Sequence, residues 1–476
     1  MLTSTANGTS RLSLWLRVRE FAVPPSMIET ASARRLRGDW AGACAAARID
    51  VDLDLRAVAR VHGRELARRV RDDLRHLAPD LLRWHMPRIA PDGLLRPGLT
   101  VALARYGQTG RTGPEGVGSE GVGPDGVGPA PHLVARTPPA WADAGQRISL
   151  AWWDGHRTGP GAGAAARHPH PRPSRLFRFD LHRHLWDARR ADELRARSGD
   201  GRAPASPTGP VEPPPEAVPD GLRCAVDRWA AEAELLNRAE GRSAGGPVVV
   251  RLGSGRRVLL EPLPDGGAAV TPMPPENLAA TLPVLPDAAT WVLPDLELLR
   301  AGLVGPDRLH PLVAAALVPD HRPAGPVRPP EEAGQPRLVE CRGARHRIAL
   351  VDGVLTPLDH DPAEVRREEL LVALTGTPLP CLRAIDEAHR RPDCLTGVRE
   401  RLAHGDTAGA LAVVEGLLGP DAVLRGGALR DELEAAAHRR ITYGLYRAGL
   451  AGPAPGRLLP GTRRPRPRDR RSRRAT

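Results

Sequence analysis

Hydrophobic residues along the chain follow helical and strand periods in turn, and they predict several short elements. After Asp54, apolar residues recur every three or four positions as far as Leu77, which predicts one long helix with a single buried face. In the segment 176–183, apolar and polar residues alternate strictly, with Phe177 and Phe179 on one side and polar residues on the other. This alternation predicts a strand with one solvent-facing side.

Similar patterns predict the other elements of the N-terminal part. A capping box predicts a helix that begins near Met27, and Asp39 is placed to cap a second helix from Trp40. Strand patterns follow at 99–106, 132–136 and 147–153.

The longest stretch without a low-complexity break is 337–450. Asp352-Gly353 lies between two β-rich runs and predicts a tight hairpin turn. Apolar periodicity then predicts helices over 361–374, 382–391, 395–403, 407–418 and 429–448.

Segments rich in Gly and Pro divide the chain. They cannot bury enough apolar surface to offset the entropy of ordering, so we predict that they are disordered. The predicted organisation is a helical plus antiparallel-sheet domain (1–198) with low-complexity insertions at 107–131 and 156–174, a linker (199–219), a small α+β region (220–318), a linker (319–336), a β-hairpin plus helical block (337–450) and an Arg/Pro-rich tail (451–476).

The predicted fold class is therefore α+β. N-terminal helices accompany an antiparallel sheet that carries disordered insertions, and a second α+β region ends in a helical bundle. Whether 220–450 forms one domain or two stays open at this level.

One short pattern occurs twice. Residues 38–43 and 405–410 agree at five of six positions, and each begins with Gly-Asp after a helix rich in Leu and Arg. Gly ends a helix and Asp caps the next, so we interpret the match as a common turn rather than as a duplicated module.

The composition excludes several enzyme classes. The sequence contains no Lys, so all 68 basic residues are Arg, and the excess of Ala, Gly and Pro is typical of a GC-rich coding bias. P-loop nucleotide hydrolases, protein kinases and pyridoxal-phosphate enzymes each need a Lys in the site. This chain cannot supply one.

The five Cys residues are widely spaced and form no CxxC pair. The spacing therefore predicts neither a disulfide framework nor a zinc ribbon, and it favours a reducing cytoplasm. The apolar stretch near the N-terminus lacks the length of a signal sequence, and no run reaches the length of a membrane span.

Asp386-Glu387-Ala388-His389 spells the DEAH box of a helicase. The preceding residues lack a β-rich run, and no P-loop precedes them. We therefore predict an exposed acidic turn of an amphipathic helix and no catalytic residue.

Asp180, His182 and His184 are the candidate metal ligands. If the predicted strand extends to His184, all three side chains lie on one face, at a spacing that metal sites use. A solvent-facing polar strand face is the alternative. Asp359-His360-Asp361 has the donors for a cation, but capping of the next helix explains Asp361 without any ion, and we prefer that interpretation.

The C-terminal tail holds most of the net charge of +12. Between 463 and 474 the chain has eight Arg and one Asp, so a flexible tail would attract phosphate polymers in a salt-dependent way. The candidate polyanion-binding residues are Arg463, Arg464, Arg466, Arg468, Arg470, Arg471, Arg473 and Arg474.

The leading hypothesis is a cytoplasmic, non-enzymatic interaction or accessory protein that binds protein partners and needs no cofactor. The first alternative is a metalloprotein or metalloenzyme that holds a divalent transition metal at Asp180, His182 and His184. The second is non-specific binding of nucleic acid through the tail.

Overall fold

The computed structural model describes residues 8–107, 130–142, 146–155, 168–199, 223–252, 256–263, 268–273, 281–322, 337–375 and 379–452. Within these ranges the fold is α+β, as predicted, with four small sheets and a helical C-terminal region. The predicted insertions lie largely outside the described residues, and so does the Arg-rich tail.

Most of the predicted helices form, and several begin at a proline in the first turn or at a capping aspartate. The α-helices of the described residues are Gly8–Arg17, Pro25–Leu36, Trp40–Ala46, Leu55–His62, Arg64–His76, Pro79–His85, Glu193–Arg197, Val226–Ala239, Asp287–Thr290, Pro294–Arg300, Pro311–Leu317, Pro362–Thr375, Pro380–Arg390, Leu395–Ala403, Thr407–Leu418 and Ala428–Ala448.

Short single turns of 3₁₀ or π helix lie at Val18–Ala22, Ala140–Ala142, Arg183–Leu185, Ala188–Arg190 and Pro306–Arg308. The strands are β1 (Ile49–Asp52), β2 (Arg88–Ile89), β3 (Leu94–Leu95), β4 (Thr100–Arg105), β5 (His132–Arg136), β6 (Ile148–Trp153), β7 (Val248–Arg251), β8 (Arg257–Pro262), β9 (Ala268–Pro272), β10 (Arg337–Cys341), β11 (Ala344–Val351) and β12 (Val354–Pro357).

The largest sheet has the strand order β1-β6-β5-β4. The pairs β4–β5 and β5–β6 are antiparallel, as predicted, whereas β1 was not predicted and joins β6 in parallel. Side chains on both faces of β4 and β5 are buried. Both faces of these two strands are therefore covered, and their sequences are nearly continuous apolar runs.

The core around this sheet also takes in later parts of the chain. Leu298 in the helix Pro294–Arg300 and Val313 in the helix Pro311–Leu317 are fully buried in the same cluster as Leu74 and Leu103. A separate cluster joins the helix Val226–Ala239 to the sheet β7-β8-β9. The domain boundaries inferred from the sequence stay predictions.

The C-terminal sheet β10-β11-β12 is a meander of two tight hairpins. Both turns need positive φ at their two central residues, as a type I′ turn does. Asp352 and Gly353 have φ angles of 51° and 77°, and Arg342 and Gly343 have 55° and 79°. The predicted Asp-Gly turn is thus confirmed, and an Arg-Gly turn precedes it.

The repeated Gly-Asp pattern forms the same contacts at both places. The Asp39 carboxylate accepts a hydrogen bond from the Gly42 amide at 2.8 Å and one from the Arg34 guanidinium at 3.0 Å. Asp406 accepts the equivalent bonds from Gly409 at 3.1 Å and from Arg401 at 3.0 Å. The common-turn interpretation therefore has a physical basis in one shared helix-to-helix connection.

Three predicted features differ from the structure. The predicted helix 55–77 is two helices, because Gly63 between them has a φ of 92°. The predicted strand 176–183 is a run of turns with one isolated bridge at Arg178. Residues 168–174, predicted to be disordered, are described, and His168 is buried with Nε2 2.9 Å from the Thr137 carbonyl.

None of the helices in the described ranges has the length and apolar character needed to cross a membrane.

Candidate metal centre

The sheet β10-β11-β12 positions the first thiol through its register. Val339 pairs with His346 and Cys341 pairs with Ala344 across the first hairpin. Since residues two apart in a strand share a face, Val339, Cys341, His346 and Ile348 all lie on the same side of the sheet. Cys341 and Ile348 are buried there.

The helix Pro380–Arg390 covers that face and supplies the second thiol. Proline at its first position suits a helix start. Cys381 follows directly, and Ile385 lies one turn later on the same side. Both are buried in one small cluster with Cys341, Ile348 and Leu379. The two thiols therefore meet between a sheet and a helix, both fully shielded from solvent.

His360 reaches the same point from the segment between β12 and the helix Pro362–Thr375. Its neighbours are already engaged: Asp359 accepts a 2.7 Å bond from the Arg347 guanidinium, and Asp361 accepts a 2.9 Å bond from the Ala363 amide. Capping by Asp361 is confirmed. The His360 side chain is only 4% exposed, and its Nε2 is buried without a hydrogen-bond partner among the described residues.

Cys341, His360 and Cys381 bring one ligand atom each to within 4.8 Å of one another. Within the described part of the chain, they form the one group of three or more His, Cys, Asp or Glu donors that meets this distance. In a tetrahedral zinc site the ligand atoms lie about 3.3–3.8 Å apart, given Zn–S and Zn–N bonds of about 2.3 and 2.0–2.1 Å. Small side-chain rotations would therefore close this group around an ion.

Burial also affects the protonation of the thiols. It raises the pKa of Cys381 to about 11, and a hydrogen bond with Cys341 and the nearby charge of Asp359 act in the same direction. Both thiols would have to lose their protons to bind an ion, because only thiolates are metal ligands.

A chain of charged residues lies behind His360. Its Nδ1 is 3.9 Å from the Glu364 carboxylate, one helical turn further on. Arg342, in the hairpin turn after Cys341, pairs with Glu364 and with Glu368, the latter at 2.6 Å. A carboxylate behind a histidine fixes the tautomer that leaves the other nitrogen free to bind a metal. Here that nitrogen is the buried Nε2.

His346 lies against this group without being part of it. Its ring stacks on the ring of His360 with the centroids 4.2 Å apart and the planes 18° from parallel. Its Nδ1 is buried and has no hydrogen-bond partner among the described residues. A buried polar atom left without a partner costs about 1–3 kcal/mol. Nδ1 of His346 and Nε2 of His360 each carry such a cost.

The metal ligands predicted from the sequence lie elsewhere. His182 and His184 are both buried, with ring centroids 5.7 Å apart. Asp180 instead accepts two 2.8 Å bonds from the guanidinium of Arg178. The three residues do not meet the distance that the Cys341 group meets. That they bind a metal stays a prediction.

The surroundings of His182 form a buried ion-pair network. Glu232 binds Arg197 through both oxygens, at 2.9 and 2.6 Å, and lies 3.2 Å from Nε2 of His182. Burial alone would raise the pKa of Glu232, but contacts with His182 and Arg197 outweigh it and lower the pKa. Burial lowers the pKa of His184, which keeps that ring neutral. These contacts join the segment around His182 to Arg197 and to Glu232 in the helix Val226–Ala239.

The DEAH segment lies in the helix Pro380–Arg390, so the predicted helix is confirmed. Asp386 accepts 2.7 Å bonds from Arg390 and Arg425. His389, one turn further along the helix, is buried. The polyanion-binding candidates between Arg463 and Arg474 lie outside the described residues, and their role stays a prediction.

Comparison of the chain with protein families, curated proteins and solved structures finds no match.

The sequence reasoning missed the Cys341 group because it searched for local spacing. Zinc ligands in ribbons come in pairs two to four residues apart, whereas these three come from three separate elements. One signal was available but was not used: a second hairpin turn at Arg342-Gly343 places Cys341 and His346 on one face, and a helix that follows contains Cys381.

Proposed function

We propose that this protein binds a zinc ion through the thiolates of Cys341 and Cys381 and the imidazole of His360. One observation carries the proposal: three donors from three separate elements converge within 4.8 Å where solvent is shut out. Neither packing nor helix capping requires such a convergence.

The donor set favours zinc over other common ions. Calcium and magnesium prefer oxygen ligands, whereas thiolate and imidazole suit zinc. Zinc also has no redox chemistry that would oxidise its own thiolate ligands.

The ion would join the C-terminal sheet to the helix that covers it. Among the described residues, the cluster between these two layers holds five buried ones, which are Cys341, Ile348, Leu379, Cys381 and Ile385. A core this small benefits from a structural metal, as other small folding units do. We infer a structural role for the ion in the block 337–450.

Metal analysis of the purified full chain tests the proposal. The wild-type protein is expected to retain zinc at one ion per chain after dialysis against a weak chelator. The double variant Cys341→Ala, Cys381→Ala is expected to lose it. The matched control is Cys394→Ala, which removes a partly buried thiol of the same block that lies outside the group, and it should keep full zinc content.

Two further experiments are needed. One distinguishes this site from the site predicted at Asp180, His182 and His184, and the other distinguishes loss of metal binding from a folding defect. His182→Ala should leave the zinc content unchanged; loss of zinc in that variant, with retention in the double cysteine variant, would transfer the site to the Asp180 group. Wild-type protein loaded with cobalt should show thiolate-to-cobalt charge transfer. If that band is absent from well-folded protein, the proposal fails whatever the variants do.

The hypotheses drawn from the sequence remain as proposals beside this one. An accessory role with protein partners is compatible with a structural metal. A cytoplasmic location is supported by five cysteines that form no disulfide. Nucleic-acid binding through 463–474 predicts that deletion of this segment abolishes salt-sensitive retention on DNA or RNA; unchanged retention would exclude the tail as its cause.

A further inference from the structure

We infer that His346 is the fourth ligand of the proposed zinc site, so that the ion is enclosed by protein and has no open position for a substrate. This inference rests on the proposed function. It extends that proposal from a site with three ligands to a closed Cys₂His₂ site.

The coordination chemistry of zinc leaves a place for a fourth donor. Structural zinc sites use four protein ligands, whereas catalytic sites use three and keep the fourth position for water or substrate. The group Cys341, His360 and Cys381 supplies three. The identity of the fourth ligand therefore decides which of the two kinds of site this is.

The register of the sheet puts His346 at the right place. It lies on the same face as Cys341, and two residue pairs separate its own pair with Val339 from the Arg342–Gly343 turn. Both side chains therefore project toward the helix that carries Cys381. The His346 ring already contacts the ring of His360, with centroids 4.2 Å apart.

The nitrogen that would bind is free to do so. Nδ1 of His346 is buried without a hydrogen-bond partner among the described residues, and the same holds for Nε2 of His360. Two stacked histidines with one unpartnered buried nitrogen each are unfavourable in an apolar interior. A shared cation satisfies both nitrogens after a modest rotation of the rings.

Cobalt spectroscopy on the full chain tests the inference, with added imidazole as the probe for an open position. In the wild-type protein, the visible bands of bound cobalt should have the intensity of a four-coordinate tetrahedral ion and should not change with imidazole. In His346→Ala, cobalt should still bind through the thiolates, but at least about 10-fold more weakly, since loss of even an outer-shell partner costs about 10–100-fold. Its bands should then shift when imidazole occupies the vacated position.

The control is His438→Ala, which removes an exposed histidine of the helix Ala428–Ala448 and should behave as the wild type. A wild-type spectrum that shifts with imidazole, or an unchanged affinity and spectrum in His346→Ala, would overturn the inference and leave the three-ligand site intact. Absence of thiolate-to-cobalt charge transfer in the wild type would instead refute the proposed function.

Circular dichroism of each variant without metal identifies a folding defect. The imidazole titration of the wild-type protein decides the question even if His346→Ala does not fold.

Discussion

Cys341 and Cys381 bring their sulfur atoms within 4.8 Å of each other, although one ends a strand and the other lies in the first turn of a helix. The two elements belong to different layers of the C-terminal block. An ion held by both residues would tie these layers together, so its effects should appear in stability as well as in metal content.

Removal of the metal should destabilise the wild-type chain. A ligand that binds only the folded state stabilises it by about 2.7 kcal/mol at a free concentration of 100 times its Kd. Thermal unfolding with added zinc and with a strong chelator measures the difference. The double variant of Cys341 and Cys381 should unfold at the same temperature in both conditions; a zinc-dependent shift in that variant would place the ion elsewhere.

Glu364 should tune the site without binding the ion. Glu364→Gln removes the negative charge that lies 3.9 Å from Nδ1 of His360, so zinc affinity should fall about 10-fold. Competition with a chelating dye measures it. Glu368→Gln is a matched control, because Glu368 also binds Arg342, at 2.6 Å, but lies one helical turn further from His360 than Glu364 does. Equal losses in both variants would attribute the effect to Arg342 and not to His360.

His404 should make the fold sensitive to acid. It is fully buried, and burial together with the charges of Arg88 and Arg83 lowers its pKa to about 3. The unfolded chain therefore binds a proton at this histidine more tightly than the folded chain does. As a result, the free energy of unfolding is highest above pH 6.5 and decreases as the pH falls from 6.5 toward 3.

Urea unfolding at pH 7 and pH 5 measures this loss. The wild-type chain should lose about 1–2 kcal/mol more than His404→Leu over this interval. His438→Leu, at an exposed histidine, should follow the wild type. If His404→Leu shows the same pH dependence as the wild type, His404 is not the sensitive group.

The shared Gly-Asp turn predicts that the same Gly→Ala substitution changes stability in opposite directions at two positions of the helix Thr407–Leu418. A Cβ added at Gly409 would lie 2.1 Å from Oδ2 of Asp406, so Gly409→Ala should displace the capping carboxylate at a cost of about 1 kcal/mol. At Gly416, in the same helix, a Cβ meets nothing within 4 Å. Gly416→Ala should therefore stabilise by about 0.5–1 kcal/mol. Thermal unfolding compares the two, and the same sign for both would contradict the account.

Those parts of the fold that depend on local chemistry could be predicted from the sequence. Asp406 and its neighbours fix the helix from Thr407 within a few residues, and the predicted bounds 407–418 match the helix Thr407–Leu418. The Asp352-Gly353 turn is similarly local, since only residues that tolerate positive φ fit it.

The segment 176–183 could not be predicted in the same way. Its alternation suggested one buried face and one exposed face, yet Arg178 and His182 are as buried as Phe177 and Phe179. Ion pairs with distant residues make this possible: Arg178 pairs with Glu240 at 2.5 Å. Such partners are absent from any local window of sequence.

The metal centre was hidden for a related reason. Its donors come from β10, from the segment after β12 and from the helix Pro380–Arg390, and no short motif contains two of them. Only the tertiary packing of helix on sheet brings them together. Asp180, His182 and His184 had the local spacing of ligands, but Arg178 occupies the carboxylate of Asp180.

X-ray absorption at the zinc edge of the purified full chain tests the central claim most directly, because it reports the atoms bound to the ion. The proposed site predicts two sulfur neighbours at about 2.3 Å and two nitrogen neighbours at about 2.0–2.1 Å. A first shell of nitrogen and oxygen without sulfur would contradict binding by Cys341 and Cys381.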